Sequence, residues 1–378
     1  MRLYKAQKKT QPHVEFRVVS RRYNCWMVVG SSAVGRLSMS TYEIHSGATS
    51  APSTSTFPHG FAHAQGRRPT MEDEIIATLL VEGSDIQLFG VFDGHGGRRV
   101  VERIVELVPD ALRDALAGRE TSHAWPRLTA EELTNAVVAV DNHLLTEAAA
   151  GGWDDGSTAL IVLGNGHGQS LQLAQLGDAQ AVLCGALGAE PLCTQHRVGE
   201  PAEDQRLEEC GTTVDEQGRL VGNGCAVAVT RALGDANVKS GTNGGLTAVP
   251  EVSVQRISPA DELLIIGCDG LWDVMEADEA WEIAKRAGKK RSGEWDLAAA
   301  ATALVQGALN RDTGDNCSVL CVGLKKPRAP RGGAQPSQQS GAGTPRSGGT
   351  PDRGQPISVM LSASGQVLSV NTRSGAST

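Results

Sequence analysis

Between residues 59 and 325 the chain alternates short apolar runs with amphipathic segments, which is the pattern of a folded domain. The apolar runs predict β-strands, and the amphipathic segments predict helices that start near residues 97, 130, 200, 277 and 294. The predicted strands cover residues 74–81, 85–92, 158–164, 170–177, 251–256, 262–268 and 317–323. The first predicted helix places Val101, Ile104, Val105, Val108 and Leu112 on one face.

Two helix starts carry local signals in the sequence. Thr129 and Glu132 have the spacing of a capping box, in which each side chain accepts a hydrogen bond from the other residue's backbone. Pro201 suits the first turn of a helix, where its missing N–H group is not needed.

The order of these elements indicates an α+β fold. Strands come in adjacent pairs followed by pairs of helices, unlike the strict alternation expected of a parallel sheet. The runs LFGVF and LLIIGC are apolar at every position, so both faces of these strands should be covered. We therefore predict a four-layer sandwich in which two antiparallel sheets are flanked by pairs of α-helices.

The two ends of the chain differ in composition from the middle. Residues 1–58 are basic and rich in Ser and Thr, which favours a disordered extension and leaves an organelle transit peptide as the alternative. Residues 326–378 form a low-complexity tail in which ISVML and QVLSV flank SASG, so a hairpin or a short docking segment is possible there. Residues 59–325 remain as the predicted folded domain.

A net charge of -8 and a pI near 5.6 argue against nucleic acid as a partner, because such partners attract basic surfaces. The apolar runs are far shorter than the roughly 20 residues of a transmembrane helix. The eight cysteines include no CxxC pair, which favours reduced thiols. We therefore expect an intracellular monomer without a transmembrane segment, located in the cytoplasm, the nucleus or, if the extension directs it, an organelle.

Acidic residues follow the apolar strands. If the runs EIIATLLV and IQLFGVF form a hairpin centred on Gly83, Asp73 lies opposite Asp93, and Glu72 joins them at one end of the sheet. Asp269 ends a second apolar strand and Asp315 begins a third, so antiparallel pairing would also make them neighbours. Two further acidic residues belong to the same rims, namely Asp178 after the strand at 170–177 and Asp273 one helical turn beyond Asp269.

Carboxylates this close together repel each other and are costly to desolvate, so a divalent cation is the expected compensation. Their oxygens, without a Cys or His cluster at zinc spacing, favour Mg²⁺ or Mn²⁺. Two ions that share a carboxylate would activate a water molecule for hydrolysis of a phosphate ester. A single Asp-Gly pair at a strand end is more often turn chemistry, but its repetition favours a metal site.

Six motifs in order make residues 60 to 325 resemble the protein phosphatase 2C family, the metal-dependent serine/threonine protein phosphatases. The motifs are Gly66-Arg67-Arg68-Pro69-Thr70-Met71-Glu72-Asp73, Val91-Phe92-Asp93-Gly94-His95-Gly96-Gly97, Asp155-Gly156-Ser157-Thr158-Ala159, Thr230-Arg231-Ala232-Leu233-Gly234-Asp235, Cys268-Asp269-Gly270-Leu271-Trp272-Asp273-Val274 and Asp315-Asn316-Cys317-Ser318. The resemblance implies phosphoserine and phosphothreonine proteins as substrates and a centre of two Mg²⁺ or Mn²⁺ ions.

By this resemblance Asp93 bridges the two ions. The Gly94 carbonyl and Glu72 would bind one ion, and Asp269 and Asp315 the other. Asp73 would hold metal-bound water.

The resemblance also assigns roles around the ions. Arg68 takes the position of the phosphate-binding arginine, whose planar guanidinium suits two phosphoryl oxygens. His95 takes the position of the general acid that protonates the leaving oxygen. Asp178 and Asp273, together with Asp269, match a weaker third metal site.

The chain departs from the family pattern near this third site. The usual Asn-x-Gly-Asp-Ser-Arg reads Gln175-Leu176-Gly177-Asp178-Ala179-Gln180, and the Asp-His pair before the flap, residues 196–222, reads Gln195-His196. These changes put ordinary third-metal behaviour in doubt and leave the predicted ligands of the two main ions intact.

Two alternatives to a phosphatase remain from the sequence. A catalytically weak relative could bind phosphoproteins without hydrolysing them, as the Gln and Ala replacements suggest. A metal-dependent phosphodiesterase or nuclease would also use paired ions, although the acidic balance and the lack of a basic aromatic groove argue against it.

Overall fold

The structure is a computed structural model, and it describes residues 43–49, 56–81, 84–119, 127–164, 170–324, 357–361 and 367–372. The helices are α1 (Arg99–Ala115), α2 (Ala130–Gly151), α3 (Pro201–Cys210), α4 (Ala236–Gly241), α5 (Asp269–Trp272), α6 (Ala277–Gly288) and α7 (Leu297–Asn310). The first nine strands are β1 (Ile44–Thr49), β2 (His59–Ala64), β3 (Glu74–Leu79), β4 (Gln87–Phe92), β5 (Gly94–His95), β6 (Gly156–Ser157), β7 (Ala159–Gly164), β8 (Ser170–Leu176) and β9 (Gln180–Gly185). The others are β10 (Gly188–Pro191), β11 (Leu220–Gly222), β12 (Cys225–Val227), β13 (Leu233–Gly234), β14 (Glu251–Arg256), β15 (Asp261–Gly267), β16 (Cys317–Gly323), β17 (Ile357–Leu361) and β18 (Val367–Thr372).

Two large sheets dominate the fold. One has the strand order β1-β2-β16-β15-β9-β10, and the other has the order β18-β17-β14-β8-β7-β4-β3. Neighbouring strands within both sheets are antiparallel. Helices α1 and α2 pack together beside the second sheet, and α6 and α7 pack together beside the first. The predicted sandwich of two antiparallel sheets with flanking helix pairs is confirmed.

Alternate residues of the central strands explain why their sequences are apolar throughout. In β4, Phe89 and Val91 face the layer between the sheets, whereas Leu88 and Phe92 pack towards the helices. Ile266 of β15 lies in the same inter-sheet layer and is fully buried. Truncating such a residue to Ala should cost about 2–5 kcal/mol of stability.

The predicted helix starts agree with the structure to within a few residues. The hydroxyl of Thr129 accepts from the Glu132 backbone N–H, and Glu132 accepts from the Thr129 N–H at 2.7 Å, so the capping box is present. Pro201 is the first residue of α3. Helix α7 starts at Leu297 rather than 294, because the Asp296 side chain caps it by accepting from the Ala299 N–H.

Val105 differs from its predicted place on the buried face of α1. It is 38% exposed, whereas Val101, Ile104, Val108 and Leu112 are buried. The stripe that faces the core is narrower than the sequence pattern indicated.

Strands β2, β9 and β10 were not predicted. Strand β2 reads HGFAHA and contains few residues that favour strands. A small residue is needed at position 60 because the strand's backbone lies against α7, where a Cβ on Gly60 would stand 2.4 Å from the Ala298 nitrogen. Strand β1 pairs with β2 and lies inside the segment predicted to be disordered, so that prediction is wrong for Ile44–Thr49. The rest of that segment up to residue 42 lies outside the described residues.

Near the end of the chain, β17 pairs antiparallel with β18, which agrees with the predicted hairpin. Most of the remaining tail lies outside the described residues. None of the helices within the described ranges has the length and apolar character needed to cross a membrane.

The flap and the residues after it form a small layer of their own. Helix α3, the β11–β12 hairpin and α4 enclose an apolar cluster. Its buried members are Leu207, Leu220, Val227, Val229, Ala232, Val238 and Leu246. This layer joins the sheets next to the acidic strand ends, because the His196 N–H at the start of the flap donates to the Gly177 carbonyl after β8 at 3.0 Å.

Candidate active site

The hairpin of β3 and β4 has the register inferred from the sequence. Glu74 pairs with Phe92 and Ile75 with Val91, which places Asp73 opposite Asp93. Ligand atoms of Asp73, Asp93 and Cys268 all lie within 4.8 Å of one another. Two of the predicted carboxylates therefore meet at this rim of the sandwich.

The electrostatics of Asp73 and Asp93 show what bringing them together costs. Burial raises the pKa of Asp73 to about 7, and the charges of Asp269 and Asp315 add to the effect. Burial and the nearby Asp73 and Asp269 raise the pKa of Asp93 well above its usual range. Without a cation, the cluster favours protonated carboxyl groups near neutral pH.

Cys268 acts as a donor in this cluster rather than as a thiolate. Its Sγ donates to Asp73 Oδ2 at 3.4 Å. Burial, together with the neighbouring Asp73 and Asp93 charges, raises the pKa of the thiol well above its usual range. The ligands on offer are therefore oxygens, which suit Mg²⁺ or Mn²⁺.

Asp269 and Asp315 extend the acidic rim along the first sheet, which contains β15 and β16. Gly267 pairs with Val319, so Asp269 stands two residues out of register with Asp315 rather than directly opposite it. Burial raises the pKa of Asp269 to about 7, and Asp178 and Asp315 contribute to this rise. The charge of Asp315 thus acts on Asp269, although the strands do not pair the two residues directly as the sequence suggested.

The donor set fits a divalent cation. Asp73 Oδ1 and Asp269 Oδ1 are buried and accept no hydrogen bond within the part of the chain that the structure describes. A buried carboxylate oxygen without a donor is costly unless a cation satisfies it. Hard divalent ions would meet this need directly.

Glu72 and Gly94 lie at the edge of the cluster. The Gly94 N–H donates to the Glu72 carbonyl at 3.2 Å, and the Glu72 carboxylate accepts from the Thr70 hydroxyl at 2.7 Å. A Cβ on Gly94 would stand 2.4 Å from the Glu72 carbonyl oxygen and 2.8 Å from Val101 Cγ1. Only glycine permits this close approach of the two backbones.

Arg68 reaches the acidic rim from the loop before β3. Its Nη2 lies 2.5 Å from Asp315 Oδ2, and its Nε donates to the Gly314 carbonyl at 3.3 Å. About half of the Arg68 side chain is exposed, so its guanidinium can still meet a ligand from solvent.

His95 is held by a residue that we did not single out as a site residue. Its Nε2 lies 2.9 Å from each carboxylate oxygen of Asp235. Burial favours the neutral ring, but the Asp235 charge and hydrogen bond outweigh it and raise the pKa of His95. Asp235 closes the Thr230–Asp235 motif, so this motif was the signal for its role.

Asp178 and Asp273 do not join the cluster around Asp73 and Asp93. Both bind Arg197, whose Nε donates to Asp178 Oδ2 at 2.6 Å and whose Nη1 donates to Asp273 Oδ1 at 3.1 Å. Arg197 Nη2 also donates to Asp269 Oδ2 at 3.1 Å. Sequence reasoning missed Arg197, although it directly follows the altered Gln195-His196 pair.

Asn316 also supports the site and was not predicted. Its Nδ2 donates to the carbonyls of Gln65 and Thr70 at 2.7 and 2.9 Å, and its Oδ1 accepts from the Glu72 N–H at 2.8 Å. This buried amide holds the loop that carries Arg68.

Comparison with known proteins relates this chain to one family. Residues 57–317 match the sequence profile described as protein phosphatase 2C. The chain is 32% identical over 262 residues to the Probable protein phosphatase 2C 2 of Arabidopsis thaliana, a match covering 69% of this chain and 65% of the relative. It is 33% identical over 298 residues to the Probable protein phosphatase 2C 68 of rice, Oryza sativa subsp. japonica, covering 72% of this chain and 79% of the relative.

Solved structures share the fold at lower identity. A serine-threonine phosphatase 2C from Toxoplasma gondii superposes with a TM-score of 0.62 at 24% identity, covering 75% of this chain and all of that chain (100%). A sex determining protein of C. elegans superposes with a TM-score of 0.59 at 21% identity, covering 76% of this chain and 66% of that chain.

The profile spans more than half of the sequence, and its boundaries enclose the acidic rim, Arg68, His95 and the flap. The chain therefore belongs to the protein phosphatase 2C family.

Proposed function

We propose that this protein is a Mg²⁺- or Mn²⁺-dependent phosphatase that hydrolyses phosphoserine and phosphothreonine in proteins. The observation that carries the proposal is the meeting of Asp73 and Asp93 from one sheet with Cys268, the neighbour of Asp269, from the other. The charges of Asp269 and Asp315 also act on Asp73 and raise its pKa. Family membership and phosphatase-named relatives support the same activity.

Two ions would be held by the acidic rim. We assign Asp93 to both ions, Glu72 and the Gly94 carbonyl to one ion, and Asp269 and Asp315 to the other. Asp73, whose Oδ1 accepts no bond from the described residues, would orient water at the same rim. When bound, the ions would neutralise these carboxylates and the phosphate and make a water molecule more acidic.

The side chains around the rim would position and protonate the substrate. Arg68 is half exposed beside Asp315 and would exchange this partner for two phosphoryl oxygens. His95, fixed by Asp235, would protonate the seryl or threonyl oxygen as the P–O bond breaks. Direct in-line attack by water would leave no covalent enzyme intermediate.

Phosphate release from a phosphothreonine peptide tests this function. Purified protein should show turnover with Mn²⁺ or Mg²⁺, no turnover with EDTA, and a loss of about 10³-fold or more in Asp93→Ala and Asp269→Ala, because each change removes transition-state charge stabilisation. The exposed Asp110→Ala variant on α1 is a matched control and should retain full activity.

Other outcomes separate the alternatives. Tight binding of the phosphopeptide without turnover under any metal would favour a phosphoprotein-binding relative. Cleavage of single-stranded nucleic acid without peptide hydrolysis would instead favour a metal-dependent nuclease.

A further inference from the structure

Three carboxylates beside the main cluster converge on a single guanidinium. The Nε, Nη1 and Nη2 atoms of Arg197 lie 2.6, 3.1 and 3.1 Å from oxygens of Asp178, Asp273 and Asp269, respectively. Only 4% of the Asp178 side chain is exposed, so Arg197 is its principal source of compensation. These are the residues that the family resemblance placed at a third metal ion.

The backbone of Arg197 is fixed from both sides. The neighbouring His196 N–H donates to the Gly177 carbonyl at 3.0 Å, and the Thr230 N–H donates to the His196 carbonyl at 2.9 Å. Arg197 itself bridges to Val229. The side chain therefore extends from an anchored base towards the acids, rather than reaching them from a freely moving loop.

Arg197 also occupies carboxylate oxygens that a metal ion at this place would need as ligands. A guanidinium offers its N–H donors in a planar fork, and here the fork contacts all three acids. A third divalent ion would need the same oxygens and would repel the guanidinium.

We propose that Arg197 is the resident cation of the Asp178–Asp269–Asp273 triad, excluding a third divalent ion and fastening the first part of the flap to the metal centre. This inference rests on the proposed metal centre. It gives Arg197 the role of positioning Asp269, because Arg197 binds Asp269 Oδ2 and leaves Oδ1 without a hydrogen bond from the described residues. Arg197 is a positioning residue in this proposal and does not contact the substrate.

Metal binding to the purified protein, without substrate, tests the proposal. Mn²⁺ bound per chain is measured by equilibrium dialysis, with free Mn²⁺ followed by electron paramagnetic resonance. The wild type should bind two ions, whereas Arg197→Ala should bind a third at least about tenfold more tightly than any third ion of the wild type, because the competing charge is gone.

Further variants distinguish charge from structure. Arg197→Lys keeps the positive charge and should still exclude the third ion, while Arg197→Ala combined with Asp178→Asn should lose it again. If circular dichroism shows that Arg197→Ala is poorly folded, Arg197→Gln replaces it, because Gln keeps most of the side chain's length without the charge. Arg197→Gln should also bind the third ion.

A second readout concerns the metal-free protein. Removing Arg197 leaves the buried Asp178 charge uncompensated, so the Tm in EDTA should fall by about 5 °C or more. Excess Mn²⁺ should raise the Tm of Arg197→Ala through a third bound ion. In the wild type, whose third site is closed, Mn²⁺ beyond the amount that fills the two main sites should raise the Tm less.

Three results would overturn the proposal. These are three equally tight ions in the wild type, no third ion in either Arg197→Ala or Arg197→Gln, and a third ion in Arg197→Lys as tight as in Arg197→Ala. A wild type that binds no Mn²⁺ at all would refute the proposed function itself, which distinguishes the two failures.

Discussion

Nε2 of His95 lies 2.9 Å from both carboxylate oxygens of Asp235, a residue 140 positions further along the chain. Asp235 is buried, and its backbone has φ of 54°, in the left-handed region that Gly, Asn and Asp adopt more readily than other residues. This backbone conformation holds a buried carboxylate against the imidazole. In this geometry the Asp235 carboxylate would orient the His95 imidazole as a general acid.

His95→Ala should lower turnover more for a phosphothreonine peptide than for p-nitrophenyl phosphate. The peptide leaves as a basic alkoxide that needs a proton, whereas nitrophenolate does not, so the two losses should differ by about 10²-fold. Asp235→Asn should produce a smaller difference of the same sign. Exposed His143→Ala is the control and should alter neither rate. Equal losses on the two substrates would contradict a general-acid role.

Divalent ions should stabilise the protein strongly against heat. Mn²⁺ at 100 times its dissociation constant should add about 2.7 kcal/mol per bound ion, measured as a rise in Tm over an EDTA sample. Asp93→Asn should lose most of this rise. In EDTA the same variant should be at least as stable as the wild type, because it removes a carboxyl group whose ionisation is opposed by burial and by Asp73 and Asp269. A large drop in Tm in EDTA would count against this electrostatic account.

The base of the flap should make stability sensitive to acid. The buried Glu203 accepts from Arg231 Nε at 3.1 Å and from Arg206 Nη2 at 2.9 Å, while His196 lies 3.3 Å from Glu251. Burial opposes ionisation of Glu203, but the Arg231 and Arg206 charges outweigh it and hold its pKa well below its usual range. Burial and the Arg231 charge lower the pKa of His196.

The lowered pKa values of His196 and Glu203 both make the folded protein less stable as the pH falls. The unfolded chain takes up protons at a higher pH than the folded chain, so stability should fall below about pH 6.5 for His196 and further below about pH 4.5 for Glu203. Glu203→Gln should cost about 3 kcal/mol at pH 7 and flatten the lower part of this dependence. Urea denaturation between pH 4 and pH 8 measures it, with exposed Glu209→Gln as the control. An unchanged slope in Glu203→Gln below pH 5 would refute the assignment.

Asn316 should act on activity through the loop it holds. Asn316→Ala removes three hydrogen bonds to residues 65–72, so the unfolding free energy should fall by about 2–3 kcal/mol. Because Arg68 and Glu72 lie on this loop, KM for the phosphopeptide should rise and Mn²⁺ affinity should fall. Asn310→Ala, at the exposed end of α7, is the control. Unchanged KM and Mn²⁺ affinity would show that the loop holds its place without Asn316.

Much of the fold could be read from the sequence because its central strands are apolar on both faces. The register of β3 and β4 followed from the turn position alone, and the structure has Glu74 opposite Phe92 as that register requires. Strand β2 escaped prediction because it contains few residues that favour strands and is held by the distant β16, where Ala62 pairs with Val319. Local composition carries no information about such partners.

The residues of the candidate site also fall into two groups, those that local sequence indicates and those that only tertiary contacts reveal. Asp93, Asp269 and Asp315 could be proposed from the sequence because each stands next to the end of a strongly apolar strand. Arg197, Asp235 and Asn316 act through tertiary contacts, so spacing in the sequence does not reveal their partners. Asp178 and Asp273 were assigned to a metal, whereas the structure places a guanidinium between them.

Strand β1 has a consequence for the boundaries of the folded unit. It lies at the edge of its sheet and shields β2 through six residue pairs, although it precedes residue 57, where the family profile begins. A chain shortened to that boundary would leave the edge of β2 unpaired, and unpaired edges add strands from other molecules. The residues just before the profile are therefore part of this sheet, and a chain that begins at residue 57 would lack its outermost strand.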